Sequence, residues 1–217
     1  MHIAEGYLPI AHCVGWAAAA APFTIASMRR VTRLMREDPE QRLLLAASGA
    51  FLFALTALKM PSVTGSSSHP VGTALGVFLL GPGEMPVLAA IGLLFQALLL
   101  AHGGLTTFGA NLFSLGVVGP IVTWLLFRAL RMAGLRWELS CGLAAFAGDL
   151  ATYLTTSLQL ALAFPAPAGG IAASFLKFAG IFSLAQVPIA AAEAILTVMV
   201  LRNLSQYLKQ TSFTYAS

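Results

Sequence analysis

Long apolar runs separated by short polar segments constrain this chain most. Of its 217 residues, 58% are hydrophobic and only 9% are Asp, Glu, Lys or Arg, against about 25% charged residues in soluble domains. The ten-residue alternating pattern of a membrane β-barrel is absent. The sequence therefore predicts an all-α fold, a polytopic membrane helical bundle with seven transmembrane helices. We place these helices at 10–28, 43–58, 70–82, 86–101, 108–128, 139–164 and 171–201.

The distribution of basic residues predicts the orientation of this bundle. Ten of the twelve lie in alternate loops or just beyond the last helix, and Lys59 and Lys177 are left for the opposite side. Because cytoplasmic loops carry an excess of Lys and Arg, the N-terminus is expected outside and the C-terminus in the cytoplasm. The formal charge of +4 is explained by this bias, so no nucleic-acid partner is expected. Residues 1–205 are predicted to form one integral membrane domain, and 206–217 a cytoplasmic tail.

The first two residues, Met1 and His2, form a candidate chelator. The α-amine of Met1, the amide nitrogen of His2 and an imidazole nitrogen of His2 can bind one cation through fused small rings. Nitrogen ligands in a tetragonal arrangement suit late divalent ions such as Ni²⁺ and Cu²⁺, whereas Mg²⁺ and Ca²⁺ prefer oxygen. The alternative is an ordinary terminal segment without a ligand role.

A fourth nitrogen is available from His69, because the predicted topology places it on the same outer side as the N-terminus. The hydroxyl groups of Ser66, Ser67 and Ser68 directly precede it and are candidates to orient its imidazole. The alternative is a histidine in a solvated loop. Serine hydroxyls next to a histidine also suggest a different function, that of an intramembrane hydrolase. No nucleophile-elbow motif is present, however, which disfavours it.

Two further polar residues belong to the same outer side. His102 ends the fourth apolar run, and Asn111 follows nine residues later and is a candidate to line the same cavity. His102 is open to three interpretations: a third imidazole ligand, a hydrogen-bonding partner of a ligand, or a helix C-cap before Gly103.

The polar residues inside predicted membrane helices include Asp149, Gln159, Gln186 and Glu193. Polar groups within a membrane are costly and indicate function by default, but interhelical hydrogen bonding explains them equally well. Both interpretations stay open for Asp149 and Glu193.

Four separated motifs closely resemble those of the cobalt transport proteins CbiM. They are the opening Met-His-Ile-x-Glu-Gly-x-Leu-Pro, the segment 57–70 with Ser-Ser-Ser-His-Pro, the segment 96–107 ending in Ala-His-Gly-Gly-Leu-Thr-Thr, and the segment 148–161 beginning Gly-Asp-Leu. The motifs agree in order and spacing, and the resemblance runs from residue 1 to about 200.

This resemblance implies the substrate-specific membrane subunit of an energy-coupling-factor importer for Co²⁺, located in the cell inner membrane and supplying cobalt for cobalamin biosynthesis. It implies three kinds of partner: a membrane coupling (T) subunit, cytoplasmic ATPase subunits and a small accessory membrane subunit. It also implies that residues 1–9 fold into an outward-facing pocket and that Met1, His2 and His69 hold the metal. Glu5, Ser66, Ser68, His102 and Asn111 remain candidates for supporting or lining that pocket.

The chain contains no GxxxxGK[ST] phosphate loop, so it is not expected to be an enzyme or to bind ATP in that manner. No cofactor is expected. Two alternatives remain: a nickel-specific subunit of the same transporter class, and a stand-alone divalent metal channel or secondary carrier. Against the second stands the lack of matched broken helices and of a carboxylate chain across the membrane.

Overall fold

The computed structural model describes residues 2–37, 39–61 and 66–210, and it is a helical bundle. The helices are α1 (Ile10–Glu37), α2 (Pro39–Ala57), α3 (Thr73–Leu79), α4 (Met85–Leu100), α5 (Phe108–Leu112), α6 (Gly119–Met132), α7 (Trp137–Ala163) and α8 (Gly170–Gln210). A π-helical turn, Phe113–Val118, joins α5 to α6 into one continuous helix. The strands are β1 (His2–Ile3), β2 (Met60–Pro61) and β3 (Ser66–Ser68).

Within the residues that the structure describes, three helical stretches are long and apolar enough to cross a membrane: Ile10–Glu37, Phe108–Met132 and Gly170–Leu204. Two more, Gln41–Ala57 and Met85–Leu100, are apolar but shorter. The chain is therefore a membrane protein. Each of the seven predicted helical segments coincides with helix in the described residues, although the number that spans the membrane stays a prediction.

The first and last helices are longer than their apolar runs. α1 continues from the predicted end at 28 to Glu37, and α8 continues from 201 to Gln210. The arginines that follow the first apolar run thus lie on helix α1 rather than in a loop. Hydropathy marks where a helix leaves an apolar environment, whereas arginine, methionine and leucine continue a helix readily. Pro39 then begins α2, a position that proline favours.

Small residues allow the helices to approach closely where the candidate site is supported. A Cβ atom on Gly109 of α5 would overlap the backbone of Ala17 in α1, and one on Gly148 of α7 would overlap the side chain of Thr123 in α6. Small residues at such crossings are typical of membrane helix packing. The crossing at Gly109 fixes α5, which carries Asn111, against α1.

A three-stranded antiparallel sheet lies at one end of the bundle, in the order β1-β3-β2. His2 pairs with Ser67 and Ile3 with Ser66, while Met60 pairs with Ser68. The sequence did not predict these strands. The sheet ties the start of the chain to the segment before His69, and so it brings the two predicted ligand segments together.

Candidate metal centre

Three histidines from separate parts of the chain meet at the end of the bundle that carries the sheet. His2 comes from β1, His69 from the segment after β3, and His102 from the segment after α4. The ring centroids lie 4.2 Å apart for His2 and His69, 4.5 Å for His2 and His102, and 5.0 Å for His69 and His102. All three side chains are buried, at 2% exposure or less.

Each imidazole presents a ring nitrogen that has no hydrogen-bond partner among the described residues: Nε2 of His2, Nε2 of His69 and Nδ1 of His102. One ring nitrogen from each histidine can be chosen so that the three atoms lie within 4.8 Å of one another. Nδ1 of His2 and Nε2 of His102 are 3.2 Å apart. Adjacent nitrogens bound at about 2.0–2.1 Å to one ion are separated by roughly 2.9–3.4 Å, so this spacing fits either a hydrogen bond or a shared cation.

Burial keeps these imidazoles neutral. Loss of solvation lowers the pKa of His2 and of His69 well below 6.5, and the neighbouring positive charges lower both further. Burial likewise lowers the pKa of His102 to about 4. Imidazole binds a metal only in its neutral form, so at neutral pH all three rings are ready to accept a cation.

Two residues around α5 hold the start of the chain in place. Asn111 accepts a hydrogen bond from the backbone N–H of Ile3 at 2.8 Å and donates one to the carbonyl of Ile3 at 3.0 Å. The hydroxyl of Thr107 also donates to that carbonyl, at 2.8 Å. Ile3 is fully buried. The backbone next to His2 is therefore hydrogen-bonded on the side that faces α5, while β3 pairs with it on the other.

Glu5 fastens the same segment from outside the histidine cluster. Its exposed carboxylate accepts hydrogen bonds from the backbone N–H of Thr106, and the N–H of Gly6 donates to the Thr106 hydroxyl at 3.0 Å. The hydrogen bonds from Thr106 lower the pKa of Glu5. A Cβ atom on Gly104 would lie 2.5 Å from the Cα atom of Glu5. Glycine at that position is thus what lets the two segments touch.

His69 is oriented by contacts with the backbone. Its Nδ1 donates to the carbonyl of Pro70 at 2.8 Å, which leaves Nε2 available as an acceptor for a metal. The carbonyl of His69 itself accepts a hydrogen bond from Nε2 of Gln186, a fully buried residue of α8, at 3.1 Å. Sequence reasoning did not connect Gln186 to the site, although its polarity within an apolar helix was a signal.

The model for the family CbiM, described as the cobalt uptake substrate-specific transmembrane region, matches residues 2–210. The chain belongs to this family. Among relatives, the cobalt transport protein CbiM 2 of Pelobacter propionicus is 52% identical over 95% of this chain and 92% of its own length. The cobalt transport protein CbiM of Kyrpidia tusciae is 55% identical over 95% of this chain and 84% of its own length.

Solved structures with the same fold are also known. A crystal structure of a transition metal transporter superimposes with a TM-score of 0.84 at 26% identity, covering 96% of this chain and 94% of the other. A truncated transition metal transporter gives a TM-score of 0.83 at 26% identity, covering 95% of this chain and 99% of the other.

The remaining candidate residues of this CbiM family member occupy different places around the cluster. The hydroxyl of Ser67 lies 2.7 Å from Nε2 of His102. Ser68 is buried and its hydroxyl has no hydrogen-bond partner in the described ranges, whereas Ser66 is half-buried in β3 opposite Ile3. The predicted ligand Met1 lies outside the described residues.

Proposed function

We propose that this chain is the substrate-binding membrane subunit of an ATP-driven energy-coupling-factor importer, and that Co²⁺ is its substrate. The imidazoles of His2 and His69 bind the ion, and the amine of Met1 with the amide nitrogen of His2 supplies the other donors. Nickel is the alternative substrate, because a planar set of four nitrogens also suits Ni²⁺.

The observation that carries this proposal is the cluster of three buried imidazoles, in which one ring nitrogen from each histidine lies within 4.8 Å of the others. Each ring also has a buried nitrogen without a hydrogen-bond partner among the described residues, which is costly, so a bound ion would stabilise the cluster. Neutral nitrogen donors without a carboxylate among the three also match a borderline divalent ion better than Mg²⁺ or Ca²⁺. Membership of the CbiM family supports cobalt as that ion.

The orientation follows from the positive-inside bias: the histidine cluster faces outwards, and the arginine-rich ends of the helices face the cytoplasm. Residues 1–205 then act as one domain spanning the inner membrane seven times. Since the sequence carries no phosphate loop, ATP hydrolysis belongs to separate cytoplasmic subunits, connected through a membrane coupling subunit and accompanied by a small accessory membrane subunit. The imported cobalt would serve cobalamin biosynthesis.

A hydrolase is less well supported than a transport subunit. Ser67 and His102 do lie at the distance of a nucleophile and its base, 2.7 Å. However, Nδ1 of His102, which a third group would orient, has no partner among the described residues. The same Nε2 of His102 also faces His2, which fits shared metal chemistry better than activation of serine.

The test is Co²⁺ binding by the purified chain and by the variants His2→Ala and His69→Ala. We expect both substitutions to abolish binding without loss of helical content, because neither residue lies within a helix. His12→Ala is the control, since His12 lies on α1 outside the cluster. Normal cobalt content in either cluster variant would refute the assignment, and competition between Co²⁺ and Ni²⁺ during uptake by the complete transporter decides the substrate.

A further inference from the structure

A buried polar network lies beneath the histidine cluster, between α7, α8 and the segment that follows His69. Its side chains are Asp149 of α7 and Gln186 and Glu193 of α8, exposed by 2%, 0% and 3% respectively. None of the three belongs to the cluster of possible ligands. Burying polar and ionisable side chains in a membrane protein costs free energy, so their presence indicates a function.

Side chains of this network form hydrogen bonds with the backbone before and after Pro70. Nε2 of Gln186 donates to the carbonyl of His69 at 3.1 Å and to Oδ1 of Asp149 at 2.6 Å. The carboxylate of Glu193 accepts hydrogen bonds from the backbone N–H groups of Val71 and of Gly72, the latter at 2.8 Å. Three residues of the segment 69–72 are therefore each bound at one backbone atom by side chains of α8.

The hydrogen bond between the ring of His69 and the carbonyl of Pro70 links this fixed backbone to the imidazole. Nδ1 of His69 donates to the carbonyl of Pro70, so the ring orientation depends on where the backbone of residues 69 and 70 lies. Gln186 binds the carbonyl of the 69–70 peptide unit, and Glu193 binds the N–H of the 70–71 unit, which also contains the carbonyl of Pro70. The position of Nε2, the metal-binding atom, is set by this arrangement.

We propose that Gln186 and Glu193 are positioning residues for the metal ligand His69, and that Asp149 acts through Gln186 by accepting its second hydrogen bond. This inference rests on the proposed function, because it assumes that His69 binds the ion. The polar residues of α7 and α8 then serve metal binding in addition to helix packing. Groups that orient a metal ligand typically contribute 10–100-fold to affinity.

The first experiment compares Gln186→Met with Gln96→Met in the purified full-length chain. Gln96 is a matched control: it is fully buried in α4, its Nε2 donates to a backbone carbonyl of α2 at 3.5 Å, and its Oε1, like that of Gln186, has no partner within the described part of the chain. Both variants lose an interhelical hydrogen bond of similar kind. Only Gln186→Met removes a hydrogen bond to the carbonyl of His69.

We expect Gln186→Met to weaken Co²⁺ binding by about tenfold in a competition titration with a chromophoric chelator. The visible absorption spectrum of the bound Co²⁺ should also change, because the position of one nitrogen ligand changes. Gln96→Met should keep the spectrum and an affinity within about twofold of the unaltered chain, at a similar loss of thermal stability. Unchanged affinity and spectrum in Gln186→Met, or equal losses in both variants, would overturn the proposal.

Glu193→Gln provides a milder second test that does not depend on folding of the methionine variant. The amide keeps one acceptor for the backbone and directs an NH₂ group at the other N–H, so one of the two bonds to Val71 and Gly72 is lost. We expect weaker Co²⁺ binding and an altered spectrum here too, and unchanged values would contradict the role of Glu193.

A third pair of variants tests Asp149. Asp149→Asn retains an Oδ1 acceptor for Gln186 and should bind Co²⁺ nearly as well as the unaltered chain. Asp149→Leu removes the acceptor and should bind Co²⁺ as weakly as Gln186→Met. A leucine variant that is folded and binds normally would exclude Asp149 from the mechanism.

If the unaltered chain binds no Co²⁺, the proposed function fails and the inference fails with it. If the unaltered chain binds but all network variants bind equally well, only the inference fails.

Discussion

Replacement of Asn111 by leucine tests whether the docked start of the chain is a requirement for metal binding. Asn111 does not belong to the histidine cluster, yet it makes two hydrogen bonds to the backbone of Ile3, the residue that follows His2. Leucine has a similar size and no polar atoms. The substitution therefore removes the hydrogen bonds while keeping the volume at a site that is 1% exposed.

The expected loss of Co²⁺ affinity follows from the backbone groups of Ile3 that lose their hydrogen-bond partner. The carbonyl of Ile3 keeps the hydroxyl of Thr107 as a donor, whereas the N–H of Ile3 loses the acceptor that Asn111 provides. One buried, unsatisfied N–H costs about 1–3 kcal/mol. If the segment leaves its docked position to avoid this cost, the competent fraction falls, and the apparent affinity for Co²⁺ falls with it. At about 1.4 kcal/mol per tenfold, the expected loss is roughly 5-fold to 150-fold.

The assay is a competition titration of Co²⁺ with purified Asn111→Leu, accompanied by thermal unfolding. Ser114→Ala is the control, because Ser114 lies one turn further along, is similarly buried, and, among the described residues, donates to carbonyls of its own helix. We expect less than a twofold change in affinity for the control. If Asn111→Leu is folded and binds Co²⁺ as tightly as the unaltered chain, the docking of residues 2 and 3 is not what sets the affinity.

Two further predictions concern protons and the chain start. Burial lowers the pKa values of the cluster histidines below 6.5, and that of His102 to about 4, so their NMR signals in the metal-free chain should not titrate between pH 7.5 and 6.5. Protonation begins only at more acidic pH, and a midpoint near 6.5 would refute the burial argument. Addition of one residue before Met1 should abolish binding, because it converts the amine into an amide, whereas a tag of the same size after residue 217 should not. Equal Co²⁺ content in both tagged proteins would exclude the amine as a ligand.

The helical bundle could be predicted from the sequence because apolar runs are a direct consequence of membrane solvation. Helix ends were predicted less well. α1 extends nine residues beyond its apolar run, since arginine leaves the apolar region without leaving the helix. Hydropathy reports the environment of a side chain, and the backbone hydrogen bonds that continue a helix do not depend on it.

The candidate site was partly predictable for a related reason. His69 and His102 were predicted on the same side from topology alone, and the described residues place them together with His2. The two-residue strand β1 was not predicted, because so short a strand has no periodicity to detect. The bond from Gln186 to the carbonyl of His69 was also out of reach, since it joins residues 117 positions apart and involves a backbone atom that every residue has.

The third imidazole bears on the choice between cobalt and nickel. A planar set of four nitrogens should favour Ni²⁺ by the general order of affinities. Nε2 of His102 lies 3.2 Å from Nδ1 of His2, a separation that suits two ligands of one ion, so His102 can offer an additional nitrogen. An added ligand removes the advantage that Ni²⁺ gains from planar coordination. His102→Gln keeps a hydrogen-bonding group for Ser67 but no imidazole, and we expect it to lower the affinity for Co²⁺ relative to Ni²⁺ by several-fold in parallel titrations with the two metals. If the ratio of the two affinities is unchanged in that variant, His102 acts only as a hydrogen-bonding partner, and the preference for cobalt must come from the ligands on His2 and His69.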